Sequence, residues 1–227
     1  MDNISYNNTE TDNEIKLLTT IIKDNDIVFD VGARDSNIPL INDNVTYHLF
    51  EPIKWNYDRL HQRFDNYNNV KIINEGLSDT KETTKIYLES ESIHKRLNFN
   101  YIWNTEKPER VANGETEVIV CNTLKKYIEE NNISKIDLLK IDVEGYEFKV
   151  LKGLYEHINI VQNVFFEYSY GTYTSSHSNL MDILKILKDF DFHLLINNTL
   201  IYIDVDIEVM YNKIYMIDNC MIHAKRK

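Results

Sequence analysis

The stretch Leu138–Glu147, LLKIDVEGYE, carries two carboxylates, Asp142 and Glu144, and then a glycine, Gly145, at the end of an apolar run. A later apolar run, NVFFEY, holds a third acid, Glu167, near its end. Acids at strand ends can do two kinds of work. They can take a proton from an attacking hydroxyl, which contributes about 10²–10⁴ in rate, or hold a hard cation such as Mg2+ through oxygen ligands. Asp142 is the first candidate for the base, and Asp142 with Glu167 for a divalent metal. Glu144 is divided between complementing a helix N-terminus beside Gly145 and touching a substrate. Glu147 lies further into the coming helix and is expected to be solvated. His177, in the loop after Glu167, falls where a substrate would enter and is a further acid–base candidate; His94 falls there too.

A second set of residues has the spacing of a nucleoside site. The run VFDVGA (28–33) puts Asp30 before a turn at Gly32, and about 20 residues on TYHLFEP ends in Glu51 and Pro52. In an open α/β sheet such a glycine lets the backbone approach the ligand and such an acid accepts the ribose hydroxyls. Charge-assisted bonds of this kind contribute about 1.5–3 kcal/mol each. A dinucleotide would need G-x-G-x-x-G to seat its pyrophosphate. Here only Gly32 is present, and Asp30 and Asp35 flank the turn. Negative charge there repels a pyrophosphate and suits a cation, such as the sulfonium or α-ammonium of S-adenosylmethionine (SAM).

These groups need a frame that brings strand ends together. Thr11-x-x-Glu14 matches a capping box for a helix with Ile15, Leu18, Ile21 and Ile22 on one face. Strands are expected at 26–31, 46–51, 70–74, 84–88, 117–120, from Leu138, at 163–168, 192–196, 200–205 and 215–223. Helices are expected at 52–66 (Trp55, Leu60 and Phe64 buried), at 124–131, after Gly145 and around Leu180–Leu187, with a short one at 36–41 that tolerates Pro39 in its first turn. The alternation implies one α/β domain over 1–227, mostly parallel with an antiparallel edge. Residues 1–12 read as a loose tail and 90–115 as a lid or insertion.

Bulk properties narrow the function classes. Asp and Glu number 36 against 25 Lys and Arg, a net charge of −11, which argues against nucleic acid as a partner. The start of the chain has no signal-peptide pattern, and no apolar run reaches membrane-spanning length, so no membrane partner is expected. Two widely spaced cysteines, Cys121 and Cys220, read as reduced core thiols of a cytoplasmic protein. The expected partner is a small-molecule or glycan substrate; the oligomeric state is open, a homodimer included.

Four motifs, DVGA, FEP, NEGLSD (74–79) and LLKIDVEGYEFKVLKG (138–153), follow one another along the chain. Together they resemble the FkbM family of SAM-dependent methyltransferases over about residues 26–170. The resemblance implies the class I methyltransferase fold, which is Rossmann-like: a mostly parallel seven-stranded sheet with an antiparallel last strand and helices on both faces. It implies methyl transfer from SAM to a hydroxyl of a carbohydrate, either a glycan or a nucleotide sugar, or of a related metabolite. By the resemblance Asp30, Gly32, Ala33, Arg34 and Ser36 line the methionine end of SAM, Glu51 and Pro52 hold the ribose, Leu77 and Ser78 border the adenine, and Asp142 faces the methyl. A divalent metal, Mg2+, is an optional second cofactor.

The family usually has Asn where Arg34 stands and a second glycine where Ser36 stands. A serine at a glycine position blocks close approach or has to take φ > 0. That motivates an alternative reading, a catalytically degenerate methyltransferase-like scaffold or binding protein. A nicotinamide oxidoreductase, lacking two of the three glycines, is a distant third.

Overall fold

The computed structural model describes residues 9–87, 101–102, 116–169, 180–196, 199–203, 206–214 and 219–227. In chain order the elements are α1 (Thr9–Ile21), β1 (Ile27–Val31), β2 (Thr46–Phe50), α2 (Lys54–Phe64), β3 (Val70–Ile73), β4 (Gly76–Leu77), β5 (Glu82–Tyr87), β6 (Tyr101–Ile102), β7 (Thr116–Asn122) and α3 (Leu124–Glu130). Then come β8 (Leu138–Ile141), α4 (Glu147–Leu154), β9 (Asn163–Ser169), α5 (Leu180–Ile186), β10 (Phe190–Ile196), β11 (Thr199–Ile203), α6 (Ile207–Ile214) and β12 (Asn219–Arg226). Short 3-10 turns occupy Ile38–Leu40, with Pro39 in the first turn as expected, and Tyr155–Ile160.

The main sheet has eight strands in the order β11-β10-β12-β9-β8-β1-β2-β3. β3, β2, β1, β8 and β9 are mutually parallel, and the last strand, β12, is antiparallel to both its neighbours. This is the class I methyltransferase arrangement, with β11 added as an eighth, antiparallel edge strand. A smaller sheet, β4-β7-β5-β6, stands beside it.

Side-chain alternation sorts the core into two layers. Phe29 and Val31 of β1 and Leu139 and Ile141 of β8 face α3, α4, α5 and α6. Val28, Leu49, Leu138 and Phe165 face α1 and α2, where Leu18, Leu60 and Phe64 are fully buried. Gly32 follows β1 at a point where nothing larger fits: a Cβ there would sit 1.9 Å from the Asp142 carbonyl oxygen, and its φ is +84°. The glycine is demanded by the neighbouring strand end, not only by a ligand.

Several expectations change. Helix α1 begins at Thr9, so Thr11 lies inside it and does not cap it. Trp55 is 55% exposed, its ring covered by the Arg59 guanidinium at 4.7 Å. Helix α6, with Ile207, Met210, Tyr211 and Ile214 at helical spacing, and the two-residue β4 were not among the expected elements. Residues 1–8 of the expected tail lie outside the described residues, as does 90–115 except Tyr101–Ile102, which pairs with β5.

Candidate active site

The chain runs outward from β1 through β2 to β3 on one side and from β8 to β9 on the other, so the sheet order reverses between β1 and β8. A cavity of ≈ 290 Å³ opens there, at the carboxyl ends of the strands, where open α/β sheets bind ligands. Gly32, Ala33, Arg34, Ser36, Glu51, Pro52, Leu77, Asp142 and Glu144, all expected site residues, line it.

The first turn is held by backbone bonds. Gly32 N and Ala33 N both donate to Phe50 O at 3.0 Å, and Arg34 N donates to Glu51 Oε2 at 2.8 Å. Arg34 takes the left-handed conformation, φ 43°. Ser36 does not; its hydroxyl accepts from Ile38 N at 3.1 Å and its N–H donates to Ala33 O at 2.7 Å. Ser36 therefore does not take the φ > 0 conformation that a glycine position can demand. Arg63 of α2 braces the same turn, donating to Ser36 O at 2.9 Å, to Asp35 O at 3.2 Å and to the Asn37 side chain.

Glu51 ends β2 and is 3% exposed. Its carboxylate accepts from Arg34 N and Ile53 N, each at 2.8 Å, and from Asn56 Nδ2 at 3.4 Å. Burial pushes its carboxyl up to about 7 despite these donors. Oε1 takes two of these donors and Oε2 one, so Oε2 keeps a lone pair for a ribose hydroxyl.

The part of the cavity expected to face the methionine end of SAM is organised by a residue that sequence reasoning missed. Lys140 is 6% exposed. Its register partner across β1 is Asp30, and Asp142 lies two residues on, on the same face of the sheet. Lys140 Nζ is 3.3 Å from Asp142 Oδ2, 3.6 Å from Asp30 Oδ1 and 3.6 Å from Glu14 Oε1 of α1. Burial favours the neutral amine, but Glu14, Asp142 and Asp30 outweigh it and hold the ammonium well above its usual range. Three acids around one cation leave an excess of negative charge. Both Asp30 oxygens and Glu14 Oε1 are sealed from solvent without a hydrogen bond. Surplus negative charge, with Glu14 and Asp142 on the cavity wall, fits a cationic ligand such as the methionine end of SAM.

At the opposite end Leu77 lines the cavity with Glu75, Ile86 and the buried Tyr146 ring. Ser78 does not reach it. That residue is fully buried behind Leu77 and donates to Glu82 Oε1 at 2.6 Å, which corrects its expected place beside the adenine. Asp30 is corrected likewise: fully buried, it lies outside the cavity lining and meets Lys140 instead.

The turn after β8 also divides its work differently than expected. Glu147 is 4% exposed, and its Oε1 accepts from Val143 N and Gly145 N, both at 3.2 Å. The acid expected to be solvated is thus the one that secures the turn. Glu144, at φ 54°, lines the cavity.

Glu167 is on β9, outside the cavity lining. Among the described residues no group of three or more His, Cys, Asp or Glu side chains gathers for a metal ion. The Lys140 ammonium beside Asp142 would repel Mg2+, so this donor set does not fit the expected metal. His177 and His94 lie outside the described residues. Among the cavity residues missed from sequence were Glu14, Asn56, Glu75, Lys140 and Tyr146. Only Lys140 had a usable signal, a lone cation inside an apolar strand.

Comparison with known proteins agrees with this frame. The family model for the Methyltransferase FkbM domain matches residues 30–194. Among solved structures the chain is similar to a methyltransferase FkbM from Methylobacillus flagellatus KT, at 14% identity and TM-score 0.50, covering 90% of this chain and 45% of that one. The chain therefore spans less than half the length of that protein. It is also similar to a protein from Clostridium thermocellum described as an rRNA methylase, at 8% identity and TM-score 0.52, covering 98% of each chain. At these identities the likeness is one of fold. No curated protein matches the chain.

Proposed function

The chain belongs to the FkbM methyltransferase family, and on that premise we propose that it moves the methyl group of SAM to a hydroxyl oxygen of a carbohydrate, a glycan or nucleotide sugar, or of a related metabolite. The enzyme class, SAM-dependent methyltransferase, comes with the family. The observation that carries the proposal is one cleft holding Glu51 at the ribose end and the Glu14–Lys140–Asp142 group at the methionine end.

SAM supplies an electrophilic methyl on a sulfonium. Glu51 holds the ribose, and the acid excess around Lys140 offsets the positive charge. Asp142 takes the acceptor's hydroxyl proton as the oxygen–methyl bond forms and the methyl–sulfur bond breaks, leaving a neutral thioether. Its Oδ2 is held by Lys140, which keeps the carboxylate in place. Alignment of this kind supplies about 7–11 kcal/mol of the barrier.

The net charge of −11 supports a small-molecule or glycan acceptor over nucleic acid. Two buried free thiols support a reducing, cytoplasmic setting. Among the described residues no helix is long and apolar enough to cross a membrane.

The test is incubation with methyl-labelled SAM and separate pools of nucleotide sugars, oligosaccharides and RNA. Label recovered as an alkali-stable sugar methyl ether is expected. Label recovered only in RNA would overturn the acceptor assignment.

A further inference from the structure

We propose that Glu14 of helix α1 is the ligand of the SAM α-ammonium, so that α1, which precedes the residues matched by the family, forms part of the cofactor site. The inference rests on the SAM reading above and adds a residue and an element to it.

Helix α1 is docked over the sheet face that carries Asp30 and Lys140. Leu18 is fully buried and Ile22 4% exposed, and both pack with Val28, Ala33 and Leu138. Glu14 lies one helical turn before Leu18 on the same stripe. That position brings its carboxylate down to the cavity wall, where Ile15 joins it.

Glu14 differs from the other two acids around Lys140. Asp30 is fully buried and outside the cavity lining, and Asp142 already accepts a bond from Lys140 at 3.3 Å. Glu14 lines the cavity, and its Oε1 is sealed from solvent without a hydrogen bond; Lys140 Nζ at 3.6 Å is beyond bonding distance. A carboxylate on a cavity wall whose ion-pair partner stands beyond hydrogen-bonding distance keeps acceptor capacity that a ligand can use. An α-ammonium brings three N–H donors and a second positive charge to a carboxylate whose cation, Lys140, is shared with Asp30 and Asp142.

The experiment compares binding of SAM and of 5′-methylthioadenosine, which shares the adenosine and sulfur but has no amino-acid end, to the full chain by calorimetry. Glu14→Gln is expected to weaken SAM by about ten- to a hundredfold, the loss of one charge-assisted bond. It is expected to leave 5′-methylthioadenosine within about twofold, which also reports that the fold is intact. Equal weakening of both ligands assigns Glu14 a structural role and overturns the proposal; an unchanged SAM affinity overturns it too. Should Glu14→Gln fail to fold, Glu14→Asp is read the same way, since it keeps the charge but draws it back by a methylene. If the wild-type protein binds neither ligand, the underlying SAM reading has failed, and this result is distinct from the other two.

Discussion

At the residue scale, Lys140 and Glu51 are the two places where burial and charge oppose each other most strongly. Replacing Lys140 with Met leaves Glu14, Asp30 and Asp142 without their cation, a change of the class that costs about 3–5 kcal/mol. The sign with pH follows. In the variant Glu14, already raised by burial, loses the ammonium that lowers it, so its ionisation opposes folding above about pH 4.5, and acidification towards that value restores stability. Thermal melts should therefore show the gap to wild type narrowing as pH falls from 8 to 5. A gap that is constant with pH would mean the ammonium is not neutralising these acids. Glu51, with its carboxyl pushed up to about 7 by burial, is partly protonated near neutrality until ribose hydroxyls favour its charged form. SAM binding at pH 6.5 should release protons, read as a binding enthalpy that varies with the ionisation enthalpy of the buffer. Asp142→Asn should lower the rate of transfer by about 10²–10⁴. Transfer by that variant at the wild-type rate would remove Asp142 from the mechanism.

At the element scale, helix α2 braces the first turn at the point where Ser36 stands in place of the family's usual glycine. Ser36 keeps an ordinary conformation because its hydroxyl satisfies Ile38 N and Arg63 of α2 ties down the carbonyls of Asp35 and Ser36. Arg63 is exposed, so its contribution is screened. Arg63→Ala is expected to weaken SAM by about three- to tenfold while moving the melting temperature little. A large drop in stability with unchanged SAM affinity would show that Arg63 holds α2 rather than the turn.

At the scale of the whole molecule, two buried histidines set the acid limit. His48 is 1% exposed with Nδ1 2.7 Å from Tyr127 Oη, and His223 is 4% exposed with Nε2 3.0 Å from Asn163 Oδ1. Burial lowers both to about 4, helped by Lys71 at His48 and by His193 and Lys225 at His223. Below their ordinary value near 6.5 the unfolded chain takes up protons that the folded one refuses, so stability is lost as pH falls from 6.5 through 4. Each contributes on the order of 3 kcal/mol over that window. Glu51 works in the opposite sense between 4.5 and 7, and partly offsets them. Urea denaturation of His48→Gln should show a shallower acid limb than wild type; an identical limb would place the acid sensitivity elsewhere.

What the amino-acid sequence determined by itself was whatever local spacing encodes. The apolar runs at 28–31, 46–50 and 138–141 dictate buried strands, and the acids and glycine at their ends dictate a ligand site there. That was enough for the fold class, the Gly32–Glu51 pairing and the place of Asp142. Tertiary structure decided which acids share a neighbour. Asp30 and Lys140 meet because β1 and β8 pair in one register, and Glu14 joins them because α1 packs on that face. Register and helix docking are set by the burial of Leu18, Val28 and Leu138, residues with no chemistry of their own. The same packing left Ser78 behind Leu77 and gave Glu147 the turn that Glu144 had been expected to complement. Spacing along a strand tells which side a residue faces only relative to its neighbours; what waits on that side is known once the layers have closed.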